Sequence, residues 1–192
     1  MQLQFNEDLH QYTLDGKIIP SVTKILSPLN DFSGIPMDVL ERKRMLGTAL
    51  HKCIDLYLLD DLDTSTIHED VAPYFNGFLK FMTETGFQVE QSESRVFSKS
   101  LRYAGTFDLI GKLNDSRVLI DTKSVAVLGK SVGPQLAAYE HAHHELNPDL
   151  KIKKRFALQL KPDGSYKLPE YKNRQDFEIF KSCLNIYNWK NS

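Results

Sequence analysis

Val118-Leu119-Ile120-Asp121-Thr122-Lys123 decides how this chain is read. Its apolar, β-branched start predicts a buried strand, and the strand ends on a carboxylate and an ammonium two positions apart. Positions two apart in a strand share a face, so Asp121 and Lys123 are expected side by side at one strand end. Thirteen positions upstream, Asp108 closes Gly105-Thr106-Phe107-Asp108 within the strand-like run Tyr103–Leu113, and Asn114-Asp115 supplies a turn between the two strands. A tight turn brings Asp108 and Asp121 together. Two close carboxylates repel unless a cation lies between them, and hard oxygen donors favour Mg²⁺ or Mn²⁺. A lysine beside such an ion orients water or neutralises charge on a phosphate. The acidic-x-Lys pattern also occurs at Asp15/Lys17, Glu41/Lys43, Asp149/Lys151 and Glu170/Lys172, but only the Asp121 copy follows a buried-looking strand with an acidic strand before it.

Moving outward, the pattern predicts helices, then β-β-β-α-β, then a helix, which is an α/β domain around a mixed sheet. Leu3–Phe5 and Tyr12–Ile19 read as a hairpin turning at Asp15-Gly16, followed by a short helix capped by Ser21 with Val22, Ile25 and Leu26 apolar. Asp38 is expected to cap a helix reaching about Leu59, with Leu46, Leu50, Cys53 and Tyr57 on its inner face. A second helix turns Val71, Tyr74, Phe78 and Met82 inward and stops at Gly86. Strands are expected at Glu93–Ser98, Tyr103–Leu113 and Arg117–Lys123. A helix over Gln135–Leu146 starts near Pro134, and Arg155–Leu160 and Tyr166–Leu168 flank the turn Pro162-Asp163-Gly164. Asn173 caps a last helix with Phe177, Phe180, Leu184 and Tyr187 on one side. With no repeat and no long linker, residues 1–192 read as one domain: an extension over 1–37, a core over 38–161 and a terminal strand and helix over 162–192.

Two more residue pairs sit where chemistry is expected. Gly47 and His51 share a helical face, and a glycine inside a helix costs about 1 kcal/mol relative to alanine, which suggests close approach by a backbone or a ligand. His51 beside that gap can give a nitrogen to the same metal. Gln135 and Tyr139 also share a face and can contact a phosphate or orient the lysine.

Composition narrows the class. The chain has 192 residues, 22.0 kDa, with 41% hydrophobic and 26% charged residues, enough apolar material for a real core. Two cysteines, Cys53 and Cys183, exclude a disulfide scaffold and any four-cysteine zinc or iron–sulfur site within the chain. No apolar run approaches the ~20 residues that span a bilayer. The start, MQLQFNEDLH, is neither signal nor transit peptide, so a soluble, cytoplasmic protein with no membrane partner is expected. The net charge of −1 is uneven: residues 1–149 carry 14 Lys and Arg against 21 Asp and Glu, residues 150–192 carry 10 against 4. The acidic part suits a cation and the basic part a polyanion.

In order along the chain, Gly47/His51, Glu93, Gly105/Asp108, Asp121/Lys123 and Gln135/Tyr139 resemble the marks of the RecB-like branch of the PD-(D/E)xK nuclease superfamily. The match spans residues 47–139. Pro20-Ser21-Val22-Thr23-Lys24-Ile25-Leu26 and Leu160-Lys161-Pro162-Asp163-Gly164-Ser165-Tyr166 also look like segments of the mitochondrial genome maintenance exonuclease group and its phage and bacterial relatives. The resemblance implies a restriction-endonuclease-like core, α-β-β-β-α-β, with an N-terminal hairpin and helix extension. It implies His51, Asp108, Asp121 and the Thr122 carbonyl as metal ligands, and Lys123 positioning water and stabilising charge. Gln135 and Tyr139 support the site, and Glu93 helps beside it. The implied activity is Mg²⁺- or Mn²⁺-dependent hydrolysis of DNA, preferring single-stranded ends, in replication, recombination or repair alongside other proteins of those processes, in a bacterium or a phage-infected host. A structure-selective endonuclease and a non-catalytic DNA-binding module are the alternatives.

Other features read as ordinary surface. Gly129-Lys130-Ser131 ends like a P-loop, but Ser124 stands where the first glycine is required. His141, His143, His144 and Glu145 read as a solvated helix end. The basic strips Lys151/Lys153/Lys154/Arg155 and Arg42/Lys43/Arg44 are candidates for phosphate contact, and Tyr12, Phe32, Tyr74, Phe75 and Tyr103 are candidates for stacking on unpaired bases, although most of these aromatics are expected in the core.

Overall fold

The computed structural model describes all 192 residues. Three short strands lead: β1 (Leu3–Asn6), β2 (Gln11–Leu14) and β3 (Lys17–Ile19), paired antiparallel in that order. The expected hairpin is thus a three-stranded meander, because Asp15 and Gly16 both take positive φ and turn Lys17–Ile19 back as a third strand. Helix α1 (Val22–Ile25) is capped as expected, the Lys24 N–H donating to Ser21 Oγ at 3.1 Å. Helices α2 (Met37–Leu58) and α3 (Ala72–Thr85) follow. Pro36, not Asp38, precedes α2, and Asp38 lies in its first turn, where a carboxylate suits the positive end of the helix dipole. Leu50 and Ile54 are its buried positions, Leu46 and Cys53 pack against the same cluster, and the partly exposed Tyr57 sets its ring edge-on to Phe75 and Phe78, so the expected face packs inward with Ile54 added to it. Gly86 ends α3 at φ 61°, and the inward face holds Phe75 and Phe81 beside Tyr74 and Phe78.

The main sheet joins β4 (Gln88–Ser98), β5 (Tyr103–Leu113), β6 (Ser116–Lys123), β7 (Lys154–Leu160) and β8 (Tyr166–Lys167) in that spatial order. β6 and β7 are parallel, joined through α4 (Val132–Leu146), and every other pair is antiparallel, so the sheet is mixed. β4 starts five residues before the expected Glu93, with a register shift at Val89/Gln91. α4 starts at Val132, leaving Pro134 in the first turn, where its missing N–H costs nothing. The last helix, α5 (Asp176–Lys190), begins after Gln175, whose N–H donates to Asn173 Oδ1.

Alternation along β6 sets the layers. Val118 and Ile120 pack with α2 and α3 through Leu50, Ile54 and Phe78, while Leu119 packs with α4 and α5 through Leu136, Phe180 and Leu184. The result is an α/β sandwich of helices on both faces of the sheet. A small third cluster ties the meander to it: Tyr12, Leu14 and Ile19 meet Phe97 and Ala104. No helix is long and apolar enough to cross a membrane.

Candidate metal centre

The β5–β6 ladder stops at Leu109 and Ile120, one step short of Asp108 and Asp121. There the strands part and β5 bonds through a side chain instead. Thr122 donates its backbone N–H (2.5 Å) and its hydroxyl (2.7 Å) to Asp108 Oδ2. This fixes the carboxylate and leaves Oδ1 turned to His51, whose Nδ1 lies 3.6 Å away. Because the N–H and C=O of a strand residue leave on the same side, the Thr122 carbonyl also faces the gap where the ladder has ended.

On the other flank of β5, Glu93 falls between the registered pairs Ser92↔Leu109 and Ser94↔Phe107, opposite Asp108. Its φ is +42°, a left-handed conformation costing a glutamate roughly 1 kcal/mol or more. The carboxylate accepts from His51 Nδ1 at 3.1 Å. His51 itself comes from the middle of α2 and sets Nε2 3.3 Å from the Thr122 hydroxyl. The donor atoms of His51, Glu93 and Asp108 lie mutually within 4.8 Å.

Asp121 and Lys123 form the adjoining half. Lys123 Nζ is 2.7 Å from Asp121 Oδ2, as the strand spacing requires. Asp121 Oδ2 is buried, and the Lys123 ammonium is the polar group that faces it. Asp121 stands outside the 4.8 Å group, whereas Glu93, expected only beside the site, stands inside it. Gln135 and Tyr139 back the centre from α4, Gln135 Nε2 donating to the Tyr139 hydroxyl at 3.2 Å. A Cβ on Gly105 would come within 2.5 Å of the Tyr139 ring, so the glycine three before Asp108 is required by the aromatic on α4. Gly47 has no such reason: a Cβ there meets only the Ser124 hydroxyl at 3.8 Å, so the expected backbone approach is absent and that side of α2 stays open.

The electrostatics suit a divalent cation. The Asp108 carboxylate, opposed by burial and aided by Glu93, raises His51 to about 9. Burial raises Asp121 to about 6 against the pull of Lys123. Burial works against the Lys123 ammonium, but Asp121 and Asp108 outweigh it and raise its pKa. Without metal, a proton on His51 thus holds the two carboxylates together. Donors at right angles around an ion with ~2.1 Å bonds lie about 3.0 Å apart. The 3.1 and 3.6 Å separations here need only small adjustment. Asp108 also has the supporting hydrogen bonds that metal-binding carboxylates use. His51, Glu93 and Asp108 therefore fit a hard divalent ion.

Tyr171 was not legible in the sequence as part of this region, coming from the segment after β8. Burial raises its hydroxyl, and Asp121 adds to the rise while Lys123 opposes it. Other sequence candidates fall away. Arg155 is buried, paired with Glu140 and Asp176 at 3.3 Å each, and is a core residue. Tyr12, Tyr74, Phe75 and Tyr103 are buried, and of that set only Phe32 is exposed. The histidines of α4 are not a solvated end: His141 stacks on Phe177, His143 faces the Leu150 carbonyl at 3.0 Å and His144 accepts from the Ile152 N–H. Glu145 accepts from the Lys99 N–H and the Ser100 hydroxyl. Comparison with protein-family models and with curated proteins finds no match to this chain.

Proposed function

We propose that this chain is a divalent-metal-dependent deoxyribonuclease of the PD-(D/E)xK type, with a restriction-endonuclease-like core, acting on single-stranded DNA ends. The observation that carries the reading is the convergence of His51, Glu93, Asp108 and the Asp121/Lys123 pair, drawn from one helix and three strands, at the place where the sheet opens. Two buried carboxylates, Asp108 and Asp121, beside the partly exposed Glu93 and His51 concentrate negative charge that a cation would offset.

His51 Nδ1, Glu93 and Asp108 Oδ1 would hold Mg²⁺ or Mn²⁺, with the Thr122 carbonyl facing the same gap. A bound ion there supplies Lewis-acid polarisation of the phosphoryl oxygen and a water of lowered pKa. Lys123 stays an ammonium at neutral pH, so its part is electrostatic: it neutralises charge gathering on the phosphoryl oxygens rather than removing a proton. Asp121 fixes that ammonium in place. Tyr139 remains a neutral phenol, its pKa held high by burial and by Asp121, and serves as a wedge that positions the Gly105–Asp108 strand.

A groove of about 600 Å³ reaches the cluster, walled by Phe5 and His10 of the meander, Thr48 and His51 of α2, and Glu93 and Arg95 of β4. The groove gives solvent and substrate a route to His51 and Glu93, and the preference for single strands rests on the sequence resemblance. The test uses end-labelled linear single- and double-stranded DNA, and a circular single strand, with Mg²⁺, Mn²⁺ or EDTA. Loss of the linear single strand with Mg²⁺ or Mn²⁺ but not in EDTA, with the circle spared, is expected. Rapid cutting of the circle assigns endonuclease action, and cleavage surviving EDTA refutes the metal role.

A further inference from the structure

The positive charge of residues 150–192 is partly gathered into one concavity. A cavity of about 400 Å³ lies against β7, where Lys153 and Lys154 meet Lys172 and Arg174 from the segment between β8 and α5. Its acids are engaged: Glu140 pairs with Arg155 at 3.3 Å and Glu170 with Lys172 at 3.2 Å. Lys153, Lys154 and Arg174 are exposed and have no ion-pair partner. The other basic strip behaves differently, Arg42 pairing with Asp70 and Arg44 with Glu41. Three unpaired cations around one hollow repel each other and attract anions.

Tyr171 joins this hollow to the candidate centre. It lines the cavity, and its segment runs along β7: the Tyr171 N–H donates to the Arg155 carbonyl at 2.8 Å and the Ala157 N–H to the Pro169 carbonyl at 3.2 Å. Ala157 is the register partner of Asp121. Two strand spacings of ~4.8 Å thus separate the segment from Asp121. The electrical influence of Asp121 and Lys123 on the Tyr171 hydroxyl agrees with that closeness.

Resting on the nuclease reading above, we propose that the cavity lined by Lys153, Lys154, Tyr171, Lys172 and Arg174 is a backbone-phosphate subsite for single-stranded DNA, holding phosphates beyond the one at the Lys123 centre. A strand is favoured over an acidic protein because Tyr171, one wall of the hollow, belongs to a segment only two strands from Asp121 in the centre read above as acting on a phosphodiester. Lys154 and Arg174 supply charge, and Tyr171 forms the wall between the two sites.

The test measures binding of fluorescent oligo-dT by anisotropy in EDTA, across a salt series, with the full chain. Lys154→Glu combined with Arg174→Glu should weaken binding at least about tenfold at low salt and reduce the log–log salt slope by about 1.4, the share of two phosphate contacts on a single strand. Lys17→Glu with Lys99→Glu, an equal charge change elsewhere, should stay near wild type. Equal losses in the two double variants overturn the subsite. Poly-glutamate bound as tightly as oligo-dT reassigns the cavity to an acidic partner and also overturns it. Melting curves check folding, and the alanine pair replaces the glutamate pair if the latter melts early. Hydrolysis of thymidine 5′-(4-nitrophenyl phosphate) by the wild type in Mn²⁺ tests the centre separately, so a failure there refutes the nuclease reading without touching the binding result.

Discussion

Raising the pH from 7 to 9 should tighten Mn²⁺ binding by about two orders of magnitude, because a divalent ion must displace the proton held on His51. The Asp108 carboxylate raises His51 to about 9, with Glu93 adding to it and burial opposing. At pH 7 only about 1% of the imidazole is neutral, and freeing it costs about 2.7 kcal/mol, from ~1.36 kcal/mol per pH unit. Affinity should therefore rise roughly tenfold per unit up to pH 9 and then level off. Isothermal titration in buffers of different ionisation enthalpy should count about one proton released per ion at pH 7. His51→Gln should bind more weakly at pH 9 and lose the slope. Affinity independent of pH between 7 and 8.5, or no proton release, would refute the reasoning that places this imidazole on the ion.

The same proton shapes the metal-free protein. The folded pKa of His51 lies above its unfolded value, so its stabilisation is full below about pH 6.5 and disappears as the pH rises through about 9, a loss of about 3 kcal/mol that urea unfolding in EDTA should register and that His51→Gln should abolish. The raised Asp121 carboxyl acts in a separate window, its ionisation between about pH 4 and 6 lowering stability. Lys123→Met should reduce Mn²⁺-dependent cleavage at least about a hundredfold by single-turnover assay, with oligo-dT binding changed far less. Gly105→Ala should destabilise by about 1–3 kcal/mol in thermal melts, since the new methyl meets the Tyr139 ring. Gly47→Ala should instead stabilise by roughly 0.5–1 kcal/mol, and a simultaneous fall in cleavage would show that the open side of α2 is kept clear for substrate.

Much of this was legible because local rules reach far in strands and helix ends. The Val118–Ile120 run, the Asn114-Asp115 turn and the two-residue spacing of Asp121 and Lys123 place a carboxylate–ammonium pair at a strand end without tertiary information, and the 2.7 Å contact is that spacing realised. Gly105 and Tyr139 looked like separate marks; the steric demand of one ring on one Cα joins them. What the sequence hid depends on long-range geometry. The left-handed φ of Glu93, which turns its carboxylate into the cluster, has no local signal, since glutamate does not prefer that region. Ile54 joins Leu50 on the inner face of α2 because of what the helix meets on the sheet and on α3, which the spacing of Leu46, Leu50, Cys53 and Tyr57 alone does not show. Arg155 read as part of a basic surface because a pattern of lysines surrounds it; its partners Glu140 and Asp176 lie 15 and 21 positions away and only the α4–β7–α5 packing brings them together.

The most direct test is a crystal of the protein soaked in Mn²⁺ and measured for anomalous scattering. The account predicts one strong peak about 2.1–2.3 Å from His51 Nδ1, Glu93 and Asp108 Oδ1, beside the Asp121–Lys123 pair. A cluster that stays free of metal while His51 keeps its contacts to both carboxylates, or a peak at some other place on the molecule, would contradict it.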